Sequence, residues 1–170
     1  LLLFYAQSGA GKSSLLHTRL IPQLQEEKGF AVLPVGRVGG DLPAGLADVD
    51  NIYAFNLMTS IDQGDDPAPF VHLSLSDFLA RLVLKEDNRW LYDAAALPLP
   101  ESGSQAGQHY AVIVDQFEEI ITAHSERWQE REGFFRQLNQ AMVDDPNLWV
   151  VLTLREDYVA ALDPYAPLVA

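Results

Sequence analysis

Hydrophobic positions along the chain alternate between continuous runs and helical spacing. Leu1 to Tyr5 is a short apolar run that meets Gly9 and Gly11, which predicts a buried strand entering a tight turn. Leu16, Leu20 and Leu24 then recur every fourth residue after Ser13 and Ser14. That spacing predicts a helix closing at Glu27-Lys28-Gly29, with Pro22 expected to kink or restart it. Phe30 to Val35 reads as a second buried strand, broken by Gly39-Gly40-Asp41-Leu42-Pro43.

The middle of the chain is less regular. Asn51 is placed to cap a short helix through Met58, and Ser74 to Lys85 predicts a longer one with Phe78, Leu79, Leu82 and Val83 as its apolar stripe. Asp62 to Pro69 and Pro98 to Gln108 read as loops, the second solvated and mobile. Order returns with Tyr110 to Val114, an apolar strand ending on Asp115. A helix is then predicted from about Ser125 to Val143, with Trp128, Phe135, Leu138 and Met142 on one face, stopped by Asp144-Asp145-Pro146. Leu148 to Leu154 is a further strand, ending on Arg155. Strands alternating with helices predict an α/β domain whose mostly parallel sheet is covered on both faces.

Composition narrows this picture. The chain has 170 residues, 48% of them hydrophobic, which suffices for one domain with its own core. Its net charge is −13, which argues against contact with nucleic acid or anionic lipid and leaves room only for a local phosphate site. With no cysteine, disulfides, zinc–thiolate sites and thiol catalysis are excluded, and a reducing, cytoplasmic location fits. No run approaches the roughly 20 apolar residues of a membrane span. Leu1 opens directly in an apolar run, as expected for a piece of a longer protein.

The candidate chemistry lies at the strand ends. Ala6-Gln7-Ser8-Gly9-Ala10-Gly11-Lys12-Ser13 matches the phosphate-binding loop G-x-x-x-x-G-K-S/T with Ala in place of the first Gly. Ordinary residue usage produces this pattern in about one chain in a hundred of this length. Here it also has the required strand before it and helix after it. Ser8, Gly9, Ala10, Gly11, Lys12, Ser13 and Ser14 are the expected nucleotide-binding residues. Backbone N–H groups surround a phosphate, Lys12 meets the β and γ phosphates, and the Ser13 hydroxyl ligates Mg²⁺.

Asp115, delivered at the end of a buried strand as in a Walker B motif, is the second expected Mg²⁺ ligand. Gln116 stands where many ATPases place a catalytic Glu. Glu118 or Glu119 is then the candidate for polarising the attacking water, with Glu118 preferred. The plainer alternative is that both simply begin the next helix. Arg155 points to the same sheet edge, where it can stabilise γ-phosphate charge or merely pair with Glu156 or Asp157.

Three strings together carry a family resemblance. Ser8 to Leu16, Asp115-Gln116-Phe117-Glu118-Glu119-Ile120 and Leu152-Thr153-Leu154-Arg155-Glu156-Asp157-Tyr158 resemble the NTPase domain of the STAND class, in its novel branch associated with WD40 and TPR repeats. The acidic pair three and four positions after Asp115 parallels the NACHT pattern. The resemblance spans nearly the whole chain and implies a P-loop NTPase three-layer α/β/α sandwich of the ASCE type over residues 1–170, truncated at its C-terminus.

It also implies ATP as the nucleotide, ADP in the resting state, Arg155 as a sensor-type arginine, and a signalling switch. The partners it implies are C-terminal helical and repeat-built sensor domains, an effector, and a second copy of the chain on activation. Arg37 and Asp50-Asn51-Ile52-Tyr53 also look like family sequence, and Arg37 is read as a surface residue.

Three rival readings are open to the same motifs. A GTPase needs a guanine-reading N/T-K-x-D segment, which is absent. A P-loop small-molecule kinase could use Arg127 and Arg131 as lid arginines, but their spacing among Glu126, Glu130 and Glu132 is better explained by ion pairing on an exposed helix. A nucleotide-binding scaffold that does not hydrolyse is favoured by Gln116. His17, His72, His109 and His124 show no metal-ligand spacing.

Overall fold

A computed structural model describes residues 1–96 and 108–169 of the chain. Its main sheet has four strands, β1 (Leu2–Ala6), β2 (Ala31–Val32), β5 (Tyr110–Val114) and β6 (Leu148–Arg155), in the order β1-β6-β5-β2 and all parallel. β3 (Leu82–Leu84) and β4 (Trp90–Tyr92) form a separate antiparallel hairpin. Every residue of β5 is buried, as expected for a central parallel strand shielded on both faces.

Side chains alternate across the sheet and feed two cores. Val112, Val114, Val150 and Leu152 join the larger one, with α2 (Ile52–Ile61), α3 (Leu75–Ala80) and α5 (Glu130–Asp144) packed over it. Ala111, Ile113 and Val151 join the smaller one on the opposite face, under Leu16, Leu20 and Leu24 of the first helical segment. Among the described residues no helix is long and apolar enough to cross a membrane.

Several local expectations hold. The strands at Tyr110–Val114 and Leu148–Arg155 end at the anticipated carboxylate and arginine. Asn51 caps α2, its side chain accepting from the Ala54 N–H at 3.0 Å, although the helix runs on to Ile61 rather than Met58.

Others are refined or corrected. Pro22 marks a change of helical turn without ending the helix. α1 (Lys12–Leu15) continues into wider π-type turns at Leu16–Leu20 and Gln23–Glu27, and Pro22 keeps helical dihedrals between them. A wider turn tolerates a residue that has no N–H to give and a ring that crowds the preceding turn. The second strand is only Ala31–Val32, because Pro34 cannot donate to the ladder. Pairing resumes as a single bridge between Gly36 and Val114.

The helix expected over Ser74–Lys85 stops at Ala80. Leu82 and Val83 belong to β3, whose turn back to β4 uses Asn88 at φ 62°. β-branched and apolar residues of that short run are satisfied by cross-strand pairing to Trp90–Tyr92, which local periodicity does not reveal. α5 begins at Glu130, five residues later than anticipated. Trp128 therefore lies in the preceding turn, 56% exposed, and Phe134 takes a buried place instead. The loop expected at Pro98–Gln108 falls almost entirely outside the described residues. After β6 the chain turns through consecutive 3₁₀ turns at Glu156–Leu168, anchored by Tyr165 stacked on Phe135 at 4.8 Å.

Candidate functional site

The loop from Ala6 to Ser13 leaves β1 at its carboxyl end and enters α1. Gly9 and Gly11 stand at φ 77° and 74°, left-handed values that a residue with a Cβ seldom adopts, and they let the backbone curl into a concave turn. The Lys12 ammonium folds back over this turn, donating to the carbonyls of Ala6 at 3.1 Å and Gln7 at 3.3 Å. The Ala10 N–H also donates to the Gln7 carbonyl, so Ala10 closes the loop on itself.

The end of the loop reaches the central strand β5 through the Ser13 hydroxyl. Ser13 Oγ donates to Asp115 Oδ2 at 2.7 Å across 102 residues of sequence. Thr153, a lone polar residue in the apolar run of β6, donates to the other carboxylate oxygen. Its carbonyl also accepts the Phe117 N–H at 2.7 Å, so β6 grips the turn after β5 by both side chain and backbone. β6 can do this because it lies between β1 and β5. Sequence reading missed Thr153. Its signal was its polarity inside a run otherwise made of apolar residues.

Burial alone would push the Asp115 carboxyl up. Hydrogen bonds from Thr153, Ser13 and the Gln116 backbone, together with the Arg37 charge, hold it below the usual carboxylate range. A depressed folded pKa adds stability that is fully present above the unfolded value of about 3.9 and is lost as pH falls through the folded value. Asp115→Asn is therefore expected to lower stability near neutrality and to flatten its decline below about pH 4. Urea unfolding across that range checks this, and parallel acid limbs in the two proteins would refute it.

Ser8, Gly9, Gly11, Lys12, Ser13 and Ser14 line one wall of a cleft of about 330 Å³ whose other wall is Asp115, Gln116, Glu118 and Arg155. Of the residues singled out from sequence, Ala10 and Glu119 are not on this lining. Glu118 precedes α4 (Glu119–Thr122), and its Oε2 accepts from the Arg155 backbone N–H at 3.2 Å. Glu119 turns away and accepts from both Nε and Nη2 of Arg37. Both acidic residues do sit at the start of a helix, as the plainer reading had it.

Arg155 is likewise engaged in the way its plainer reading described. Its guanidinium pairs with Asp157 at 2.6 Å and lies 5.6 Å over the Tyr158 ring, yet its buried Nε has no partner among the described residues. Arg127 makes the ion pair its spacing predicts, with Glu130, although both side chains are largely buried and Arg127 lies in the turn before α5, whereas Arg131 makes no such pair among the described residues. Arg127 joins Glu130 to the Val49 carbonyl, and Arg131 donates to the Ile121 carbonyl. Arg37, read as a surface residue, does keep 42% of its side chain exposed, and it also bridges Gln116 and Glu119.

A parallel α/β sheet that presents a Gly-rich loop, a lysine and a carboxylate at its carboxyl edge is consistent with an NTPase-like fold. The profile of the Novel STAND NTPase 1 family matches residues 1–170, and the chain belongs to that family. No curated protein and no solved structure gives a significant match to it.

Proposed function

We propose that the cleft binds Mg²⁺-ATP and hydrolyses it slowly, as the nucleotide switch of a STAND-type signalling protein. The observation that carries this reading is the Ser13–Asp115 hydrogen bond, which puts a hydroxyl and an ionised carboxylate together beside Lys12 and the Gly-rich turn. The strand order supports it, since one strand separates the loop strand β1 from the Asp115 strand β5, as in a P-loop sandwich of the ASCE type.

Each residue then has a task. The N–H groups around Gly9 and Gly11 cradle the phosphates, and Lys12 exchanges its two loop carbonyls for phosphate oxygens. The hard oxygen donors Ser13 and Asp115 suit Mg²⁺, which when bound would neutralise charge on the β and γ phosphates. Glu118, the glutamate on the cleft wall, holds and polarises the attacking water. Arg155 stabilises γ-phosphate charge, which requires its guanidinium to leave Asp157. Gln116 beside Asp115 favours a second reading, a scaffold that holds ATP or ADP without turning it over.

As a switch, the ADP form is the resting state, and the ATP form is read by helical and repeat-built sensor segments, an effector and a second copy of the chain.

Thermal unfolding with Mg²⁺ plus ATP, ADP or GTP tests the binding step. Ligand at about 100 times its dissociation constant adds roughly 2.7 kcal/mol, which raises the midpoint of a chain this size by about 5 to 11 °C. The shift is expected with adenine nucleotides and is expected to vanish in Lys12→Ala. An equal shift in Lys12→Ala, or none with any nucleotide, would reject this site.

A further inference from the structure

We infer that Arg37 is a positioning residue for Glu118, stapling both ends of the turn Gln116–Glu119 so that the glutamate between them faces the cleft. This rests on the hydrolytic reading above and adds to it a residue outside the cleft.

The side chain of Arg37 makes a fork. Nε donates to Glu119 Oε2 at 3.1 Å, and Nη2 donates to the other oxygen of the same carboxylate. Nη2 also donates to Gln116 Oε1 at 2.7 Å. One planar guanidinium thus holds the first and last residues of the turn, which a lysine's single ammonium cannot do in the same geometry.

The base of the fork is itself fixed. The Arg37 N–H donates to Ser60 Oγ at 2.9 Å on α2, and the Gly36 N–H donates to the Ile113 carbonyl at 2.8 Å on β5. Glu119 has a fitted seat as well. A Cβ on Gly39 would fall 2.5 Å from its Oε2 and 2.7 Å from its Cβ, so the carboxylate packs where only a glycine backbone leaves room.

The turn needs holding. Gln116 stands at φ 52°, a left-handed conformation that persists in a residue with a side chain only where its surroundings enforce it. Phe117 is fully buried and pins the middle of the turn to β6. Glu118 follows, its side chain accepting from the Arg155 N–H and its carbonyl from the Ile121 and Thr122 N–H groups, so it is carried by the turn and the helix start that Arg37 holds at Gln116 and Glu119. Arg37 also brings a positive charge to the side of Asp115, Glu118 and Glu119 and offsets repulsion among the three, and in turn its hydrogen bond to Glu119 and the charges of those carboxylates raise its pKa.

The test measures steady-state ATP turnover, nucleotide affinity and thermal midpoint in the intact protein for wild type, Arg37→Ala, Arg37→Lys, Glu119→Gln and the double variant Arg37→Ala with Glu119→Gln. Misplacing a water-orienting group by about 1 Å costs up to about 100-fold, so Arg37→Ala is expected to lower kcat by about 10- to 100-fold with KM within about threefold. Arg37→Lys should recover only part of that loss. Glu119→Gln should resemble Arg37→Ala, and the double variant should be no slower than the worse single one, because both cut the same link. If Arg37→Ala does not fold, Arg37→Lys and Glu119→Gln decide the matter by the same kcat and KM split.

Unchanged kcat in folded variants overturns the inference. So does a rise in KM alone, which would make Arg37 a nucleotide contact. A rise in kcat that disappears in the double variant overturns it too, and would make Glu119 a water-activating residue that Arg37 withholds. Failure of the underlying reading looks different: Glu118→Gln would keep wild-type turnover, or the wild type would show no turnover at all.

Discussion

Glu118→Gln is expected to lower ATP turnover by about 100-fold or more while leaving nucleotide affinity within about threefold. Sequence spacing offered two acidic residues after Asp115, and the cleft distinguishes them. Glu118 lines it beside Gln116 and Arg155, whereas both Glu119 oxygens are taken by Arg37. Glutamine keeps the size and the hydrogen-bond acceptor but cannot take a proton, so the loss should fall on kcat. Single-turnover hydrolysis with nucleotide in excess over its dissociation constant reads this directly. Turnover at the wild-type rate would mean that the water is activated elsewhere, or that the cleft serves the scaffold reading.

The largest effect on stability is expected at Phe117. Its side chain is fully buried, with ring centroids 6.0 Å from Phe134 and 5.8 Å from Phe135. Truncating such a residue to alanine removes its transfer free energy and leaves a cavity, together about 3 to 5 kcal/mol. For a chain of this size that corresponds to a midpoint lower by about 6 to 20 °C. Phe117 also sits between Gln116 and Glu118 and donates its N–H to Thr153, so the cavity opens directly beneath the turn that carries the candidate base. Phe117→Ala should therefore lose ATP turnover even at temperatures where it is folded. A stability loss below about 1 kcal/mol would show that this ring is not a core anchor.

Elements governed by nearest neighbours were legible in the sequence. The buried run Tyr110–Val114 ends at Asp115 as expected, and Asn51 caps the helix that follows it. Misreadings arose where a distant partner outweighed local pattern. Leu82 and Val83 continue a helical stripe, yet pairing with Leu91 and Tyr92 draws them into a strand. Trp128 has the spacing of a core position, but Arg127 turns toward the Val49 carbonyl and Glu130, and α5 starts only after that turn. Arg37 looked like family sequence, yet nothing local pointed to its partners, which lie 79 and 82 residues away.

What the sequence determined by itself is the set of chemical groups and the strand ends that carry them: the Gly-rich loop with Lys12 and Ser13, Asp115 after β5, and Arg155 at the end of β6. Runs of apolar residues specify strands, and glycines and polar residues specify where they stop. Only the tertiary structure decided which groups meet. Placing β6 between β1 and β5 puts Thr153 against Asp115, and parallel register brings the Ser13 hydroxyl to the same carboxylate. The physical reason is that a strand's own pattern encodes its burial but not its neighbour. Glu118 and Glu119, adjacent in sequence, are set apart in space by Arg37, which takes the Glu119 carboxylate, and by the Arg155 N–H, which takes that of Glu118.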